Sequence, residues 1–169
     1  MSQASIRATL ATFFSTAGIP NLPQVYRAKP SIIDGRKFKF DQNSGHAACV
    51  YIHFVASSET RMTLPAVQGS KHIMYRVAVV VLYQHQIRPG VPGVDSTTDW
   101  VDALDGILDG LKARIRSDQT FGTAGRTTLF QGGEESGDIV LQSEDAETSA
   151  GVVHSWNALE FSVDEIIQS

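Results

Sequence analysis

The run of residues 71–84, KHIMYRVAVVVLYQ, limits the possible folds more than any other part of the chain. From Ile73 to Tyr83 every odd position is Ile, Val or Tyr, whereas the even positions begin at His72 and end at Gln84, both polar, and are apolar in the middle. Alternation with a period of two in β-branched and aromatic residues is typical of a β-strand. A strand whose centre is apolar on both faces lies deep in a sheet or is covered on both sides. The run therefore predicts the central strand of the only sheet, with one end projecting beyond the core.

Several other segments show strand alternation or the turns that separate strands. Residues 46–55 place a row of apolar side chains on one face and are predicted to form a second core strand. The alternation in residues 152–163 predicts the strand that closes the sheet. Residues 143–151 are polar and acidic and are predicted to form a loop. The weaker strand predictions are residues 24–27, a hairpin around Asp34-Gly35 in residues 31–41, residues 127–131 and residues 138–142.

Residues 57–70 join two strong strands and are too many for a tight turn. A short strand is predicted at residues 60–64, where Pro65 ends it. The segment fits either an extended hairpin arm or a flexible loop, and both kinds of segment commonly carry contacts with other molecules.

Two amphipathic helices are predicted, one in residues 2–17 and one that begins at Asp99. In the second helix the acidic residues come early and the basic residues late, as the helix dipole prefers. The apolar residues at helical spacing are Ile6, Leu10, Phe13, Phe14 and Ala17 in the first helix, and Trp100, Val101, Leu104, Ile107, Leu108, Leu111 and Ile115 in the second.

The order of elements predicts an α+β fold with two layers. Two main helices pack on a mainly antiparallel or mixed sheet that carries long loops or hairpin arms. With 169 residues, the chain is expected to form a single domain over residues 1–169. Its single cysteine, Cys49, and the lack of a secretory signal pattern suit a reducing cytosol, and no apolar run is long enough to predict a membrane partner.

The sequence contains little that predicts catalysis or cofactor binding. The five histidines do not have metal-ligand spacing, and the glycines of residues 122–137 do not form a dinucleotide-binding pattern. No nucleophile elbow or phosphate-binding loop is present. We therefore predict no catalytic, cofactor-binding or metal-binding residues, no cofactor and no enzymatic activity. The alternative is a ligand-binding or enzymatic α+β domain, whose pocket would need convergent polar groups such as Tyr75, His53 or Arg76.

Charge is divided unevenly along the chain. Residues 1–116 carry a net charge of +5 and residues 117–169 carry −9, which together give −4. Such a division suits a polyanion-binding half, or a surface whose two sides are complementary between copies. No basic helix supports sequence-specific nucleic-acid binding, and the acidic C-terminal third would repel a phosphate backbone.

The layout resembles one known family. An amphipathic N-terminal helix leads into strands, and a long strand of the YRVAVVVLYQ kind runs into a Pro/Gly connector. A helix of the WVDALDGILDGLKARI kind and a late strand of the SWNALEFSVDEI kind then follow. This arrangement resembles the tail terminators and related minor tail or neck proteins of long-tailed bacteriophages.

The resemblance implies a structural virion protein. Such proteins cap the finished tail tube as a hexameric ring, stop its elongation and provide the docking surface for the DNA-filled head. The implied partners are further copies of the chain, the tail tube protein and the head–tail connector, with DNA passing through an electronegative channel without specific binding. The implied location is the virion tail or neck, after assembly in the host bacterial cytoplasm. A head-completion or neck adaptor subunit is the nearest alternative.

Two groups of residues become candidates under this hypothesis. A head-to-tail interface that closes a ring would join opposed charges, which steer assembly more than they stabilise it. The candidate subunit-interface residues are Glu59, Arg61, Met62 and Leu64, with the basic residues Arg36, Lys37 and Lys39. The candidate channel-lining residues are Glu134, Glu135, Glu144 and Asp145.

Overall fold

The computed structural model of the chain describes residues 3–22, 25–30, 45–64, 67–86, 99–118, 120–122, 129–131 and 139–167. These residues form two α-helices and seven β-strands, which are α1 (Gln3–Ser15), β1 (Val25–Tyr26), β2 (His46–Leu64), β3 (Val67–Gln86), α2 (Asp99–Ser117), β4 (Leu129–Gln131), β5 (Val140–Ser143), β6 (Glu147–Ser149) and β7 (Val152–Ile167).

All seven strands belong to one mixed sheet, so the predicted α+β fold is confirmed. The strand order is β1-β2-β3-β7-β4, and β5 and β6 also pair with β7. The β1 strand runs parallel to β2, and every other pairing is antiparallel. As predicted from its alternation, β3 lies in the centre, with β2 on one side and β7 on the other.

The long β2 and β3 strands form a hairpin arm. They pair from His46 opposite His85 to Leu64 opposite Val67, with register shifts between Phe54 and Ala56 and between Met62 and Leu64. The sequence left a hairpin arm and a flexible loop as alternatives, and the structure has the arm. We define the arm as residues 57–64 and 67–75. On its β3 side the arm is supported by β7, which pairs with β3 as far as Lys71.

A β-bulge lies where β2 leaves the core and enters the arm. Phe54 faces Val77 and Ala56 faces Arg76, so Val55 is one extra residue in β2. A bulge bends its strand and increases the local twist. Because of the insertion, Phe54 and Ser57 lie on the same face of the sheet although they are three residues apart.

Both helices pack on one face of the sheet, which we call the helix face. The main core joins buried residues of α1 and α2 to side chains of β2, β3 and β7. Aromatic rings fill its centre, and Phe14 and Phe121 both contact Phe161. The buried stripe of α2 matches the prediction except at Trp100, which is partly buried against the core, and at Val101, which is 37% exposed.

The predicted loop over residues 143–151 is wrong. Ser143 ends β5, Glu147–Ser149 form β6, and both strands pair with β7. Between the two strands, residues 144–146 lie opposite only two residues of β7. The β5 and β6 strands therefore form one edge of the sheet that is interrupted by a bulge. Ala150 (φ 51°) and Gly151 (φ 75°) then form a two-residue turn into β7, and this conformation suits the twist of a hairpin. The polar composition concealed a strand that is exposed on both faces.

Other predictions are confirmed with different bounds or lie outside the described residues. The first helix is shorter than expected, and the extended piece at residues 24–27 becomes β1. The strands predicted at residues 127–131 and 138–142 correspond to β4 and β5. The hairpin predicted at residues 31–41 lies outside the part of the chain that the structure describes.

Candidate interaction surfaces

One edge of the sheet is formed by β2. The short β1 strand pairs only with Val50 and Tyr51. Among the described residues, no strand pairs with the outer side of β2 from Ile52 to Leu64. Residues 55–60 are exposed, and Val55 is an exposed apolar residue among them. A long exposed edge of this kind is a template on which another strand can pair.

The opposite edge is formed by β5 and β6. Every residue of both strands is exposed, including the apolar residues Val140 (45%) and Leu141 (43%). Within the described part of the chain, only β7 pairs with them, and it occupies one side. The sheet therefore has an exposed edge at each end.

The direction of the backbone groups on β2 follows from one hydrogen bond and the strand register. Gln86 N donates to Gly45 O at 2.9 Å, so Gly45 and Gln86 form a hydrogen-bonded pair of the antiparallel ladder. Every second residue pair from there to the bulge is hydrogen-bonded in the same way. Residues between these pairs direct their N–H and C=O groups away from β3. Even-numbered residues of β3, such as Gln86, direct their backbone groups toward β2. Beyond the bulge, Ala56 pairs with Arg76 and is therefore hydrogen-bonded to β3. Ser57, Glu59 and Arg61 consequently direct their backbone groups outward and form the outward-directed set.

The same reasoning applies to the β5–β6 edge. Glu144 N donates to Trp156 O at 3.1 Å, so Leu141 and Ser143 direct their backbone groups away from β7. In β6, Ser149 and Val152 close the two-residue turn as a hydrogen-bonded pair, so Thr148 is directed outward.

The two edges carry different charge. Glu144, Asp145 and Glu147 lie along the β5–β6 edge, and none of them forms an ion pair with another described residue. On the arm, Glu59 is already paired with Lys71 at 3.0 Å. The described side chains of the arm edge therefore carry no run of acidic residues like that of the β5–β6 edge.

Two buried carboxylates of β7 hold the base of the arm in place. On the helix face, Tyr75 donates to Oε2 of the fully buried Glu165 at 2.9 Å. On the other face, Glu160 binds Arg76 at 2.7 Å and accepts a hydrogen bond from Gln142 at 2.9 Å. Sequence reasoning missed both glutamates, because alternation along a strand assigns a polar residue to solvent unless its partner is known.

A cavity of about 450 Å³ lies between β3, β7 and the β5–β6 edge. Its walls include the apolar side chains of Leu82 and Trp156 and the polar side chains of Gln84 and His154, which contact each other at 3.1 Å. The predicted channel residues Glu144 and Asp145 lie beside this cavity.

The other candidate residues are distributed as follows. Glu59 and Arg61 lie on the same edge of the arm, and Met62 and Leu64 follow them toward its tip. Five of the candidates lie outside the described residues, namely Arg36, Lys37, Lys39, Glu134 and Glu135. The alternative polar set does not converge, because Tyr75 is on the helix face whereas His53 and Arg76 are on the opposite face.

A polar cluster lies at the end of the sheet away from the arm. The ring nitrogen Nδ1 of His46 contacts the hydroxyl of Tyr83 and, at 3.2 Å, Nδ1 of His85. Burial raises the pKa of the Tyr83 phenol. Among the described residues, no group of three or more His, Cys, Asp or Glu side chains could hold a metal ion.

No known protein family and no curated protein matches the chain by sequence. Among the described residues, no helix is both long and apolar enough to span a membrane.

Proposed function

We propose that this chain is a structural virion subunit that assembles into a ring on the end of a phage tail tube. In this role it stops elongation of the tube and provides the surface to which the head docks. The observation that carries the proposal is the open sheet, whose two exposed edges differ in charge and lie at opposite ends of one subunit.

Two different surfaces on one subunit favour head-to-tail assembly. Such a contact repeats around an axis and closes into a ring when the rotation between subunits permits it. The arm carries the β2 edge away from the core, since residues 57–60 are exposed, and this gives a subunit the reach to contact its neighbour. The acidic residues Glu144, Asp145 and Glu147 supply the negative charge that a DNA channel requires to let the duplex pass without binding.

A second candidate function is ligand binding. The cavity beside Trp156 has the volume of a small-molecule site and combines apolar and polar walls.

A head-completion or neck adaptor subunit is a variant of the first proposal, because it also forms a ring but binds the head before the tail arrives.

Electron microscopy and sedimentation of the purified chain test the proposal. We expect rings of about six copies, either in solution or when polymerising tail tube subunits from the same genome are present. Tubes grown with the chain should end in a ring and stop growing, whereas tubes grown without it should continue. A chain that stays monomeric in both conditions would contradict the proposal, and saturable binding of a small molecule by that monomer would favour the second candidate.

A neck adaptor is distinguished by its binding partner. If rings form but bind isolated DNA-filled heads and not tubes, the adaptor function replaces tail termination.

A further inference from the structure

We infer that the cavity of about 450 Å³ beside Trp156 binds an organic cation with an apolar body, which is a quaternary ammonium or guanidinium group carried on a hydrocarbon chain or ring. The acidic wall of the cavity neutralises the charge, and Trp156 and Leu82 cover the apolar part. The inference goes beyond ring assembly and does not depend on it. It gives a ligand class to the cavity of the second candidate function.

The first row of side chains in the cavity wall crosses the sheet from β3 to the end of β5. Leu82 of β3 lies directly opposite Trp156 of β7. From the other side of β7, the N–H of Glu144 donates to Trp156 O at 3.1 Å. Residues opposite each other in a sheet share a face, so these three side chains lie on the face away from the helices. A carboxylate therefore lies beside an indole ring, with an aliphatic side chain beyond it.

The second row lies next to the first. Gln84 of β3 is opposite His154 of β7, and His154 is opposite Glu147 of β6. The amide nitrogen of Gln84 lies 3.1 Å from Nδ1 of His154 and donates to it. Asp145, between β5 and β6, also lines the cavity. The wall thus carries three carboxylates, and no Lys or Arg is among the described residues that line it.

The indole ring of Trp156 is held in place by its neighbours. Its N–H interacts with the hydroxyl of Tyr51. Its body packs with Leu82 against the buried Val80 and Ala158. A ring fixed in this way loses little conformational freedom when a ligand binds. Tryptophan is also the aromatic side chain that attracts a cation most strongly, and the attraction is larger where water is excluded.

The arrangement of the carboxylates favours an organic cation over a metal ion. Within the described part of the chain, no three His, Cys, Asp or Glu side chains could hold a metal ion together. Glu144, Asp145 and Glu147 are exposed, and none of them forms an ion pair with another described residue. Negative charge spread along a wall suits a cation whose charge is delocalised or surrounded by alkyl groups, whereas an anion is repelled.

The fluorescence of Trp156 reports binding directly. The chain has two tryptophans, so Trp100→Phe leaves Trp156 as the single indole emitter. The probe is benzyltrimethylammonium, and its controls are the neutral N,N-dimethylbenzamide and the anion benzoate. We expect saturable binding of the cation with a dissociation constant roughly tenfold or more below that of either control. Isothermal titration calorimetry on the wild-type chain measures the same constants if Trp100→Phe does not fold.

Two double variants locate the site. Glu144→Gln/Glu147→Gln removes two charges from the cavity wall and preserves the shape of two exposed side chains. Asp102→Asn/Asp105→Asn removes the same charge from exposed positions of α2, on the other face of the sheet. We expect the first variant to weaken binding of the cation roughly tenfold and the second to leave it nearly unchanged, because short-range charge acts on the ligand. Both variants should melt as the wild type does.

Ring assembly distinguishes two sources of the cation. If benzyltrimethylammonium inhibits self-association as it fills the cavity, the natural ligand is a Lys or Arg side chain of a neighbouring protein chain. If rings form equally well with the cavity filled, the natural ligand is a free small molecule. Sedimentation velocity at increasing probe concentration measures the difference.

Several results would overturn the inference. Equal affinity for the cation and the neutral amide would show an apolar site, and tighter binding of benzoate would show that the wall does not select positive charge. Unchanged binding by Glu144→Gln/Glu147→Gln, or no saturable binding of the cation, would also remove the site. These results leave the ring function standing. Conversely, a chain that never forms rings but binds the cation through these glutamates would remove the ring function and support the inference.

Discussion

Tyr75 donates a hydrogen bond of 2.9 Å to Glu165, although the two residues lie 90 positions apart in the chain and both are almost fully buried. The bond joins β3 to β7 on the helix face, at the base of the arm. Burial, and then the neighbouring carboxylate, raise the pKa of the Tyr75 phenol, so this hydroxyl remains a donor throughout the physiological range.

Replacing Tyr75 with Phe should lower the free energy of unfolding by about 1–3 kcal/mol, because it removes a donor from a buried carboxylate. Urea denaturation followed by circular dichroism measures the loss. Glu165→Gln is the matched comparison, since the amide oxygen can still accept from Tyr75, and we expect it to cost less. Equal stability of Tyr75→Phe and the wild type would show that the bond contributes nothing.

The raised pKa values of Tyr75 and Tyr83 predict loss of stability in alkali. A group with a folded pKa above its unfolded value stabilises the fold fully below the unfolded pKa, which is about 10 for Tyr. That contribution is lost as the pH rises through and beyond 10, because the unfolded chain ionises first. Unfolding between pH 8 and pH 11 should show the decline, and Tyr75→Phe should make it shallower. An unchanged slope in that variant would contradict the prediction.

Two glycines of α2 should respond in opposite ways to substitution by alanine. Gly106 has open space where a Cβ would lie, so Gly106→Ala should stabilise the chain by about 0.5–1 kcal/mol through helix propensity. At Gly110 a Cβ would lie 2.7 Å from Cγ2 of Ile19, a β-branched side chain with little freedom to move. Gly110→Ala should therefore not show the increase in stability expected from helix propensity, and it should destabilise the chain. Thermal unfolding of the two variants side by side measures the difference.

Asp118 holds the turn that follows α2, and its effect should depend on acid pH. Its carboxylate accepts hydrogen bonds from the hydroxyl and backbone N–H of Thr120 and from the N–H of Gly122, which lower its pKa. This turn places Phe121 in the core against Phe13. We expect Asp118→Ala to cost roughly 1 kcal/mol at neutral pH, and Asp118→Asn to cost less because one acceptor oxygen remains.

The pH dependence of Asp118 has a definite sign. A carboxylate with a lowered folded pKa stabilises the fold above its unfolded pKa of about 4, and this contribution is lost as the pH falls through the folded value. The stability difference between the wild type and Asp118→Ala should therefore shrink below pH 4 in denaturation experiments. A difference that stays constant from pH 7 to pH 3 would assign the effect to the loop backbone and not to the carboxylate.

Alternation and helical spacing were sufficient to predict the centre of this fold. The β3 strand, the core part of β2 and both helices follow from rows of apolar side chains, which depend only on local sequence. The β5 strand was predicted at residues 138–142, but β6 escaped prediction because a strand exposed on both faces has no apolar row. The bulge at Val55 escaped because an inserted residue is recognisable only against its partner strand.

The candidate interaction residues were predicted only in part. Glu59 and Arg61 could be proposed because an arm was one of the two alternatives for residues 57–70, and the structure places the backbone groups of both in the outward-directed set of one edge. The opposite edge could not be inferred, since nothing local in residues 140–149 shows that β7 pairs with them. Burial of Glu160 and Glu165 depends on contacts with distant residues, which composition and spacing do not reveal.

The bend at Val55 changes the position of the whole arm tip, since nine further residues of β2 continue beyond it to Leu64. At about 3.3 Å per residue they reach roughly 30 Å, so each 10° of bend at the bulge displaces the tip by about 5 Å. Deleting Val55 would restore a regular ladder and keep every later side chain on its present face. The inserted residue therefore sets the direction in which the arm points, whereas other residues of the arm supply its polar and charged side chains.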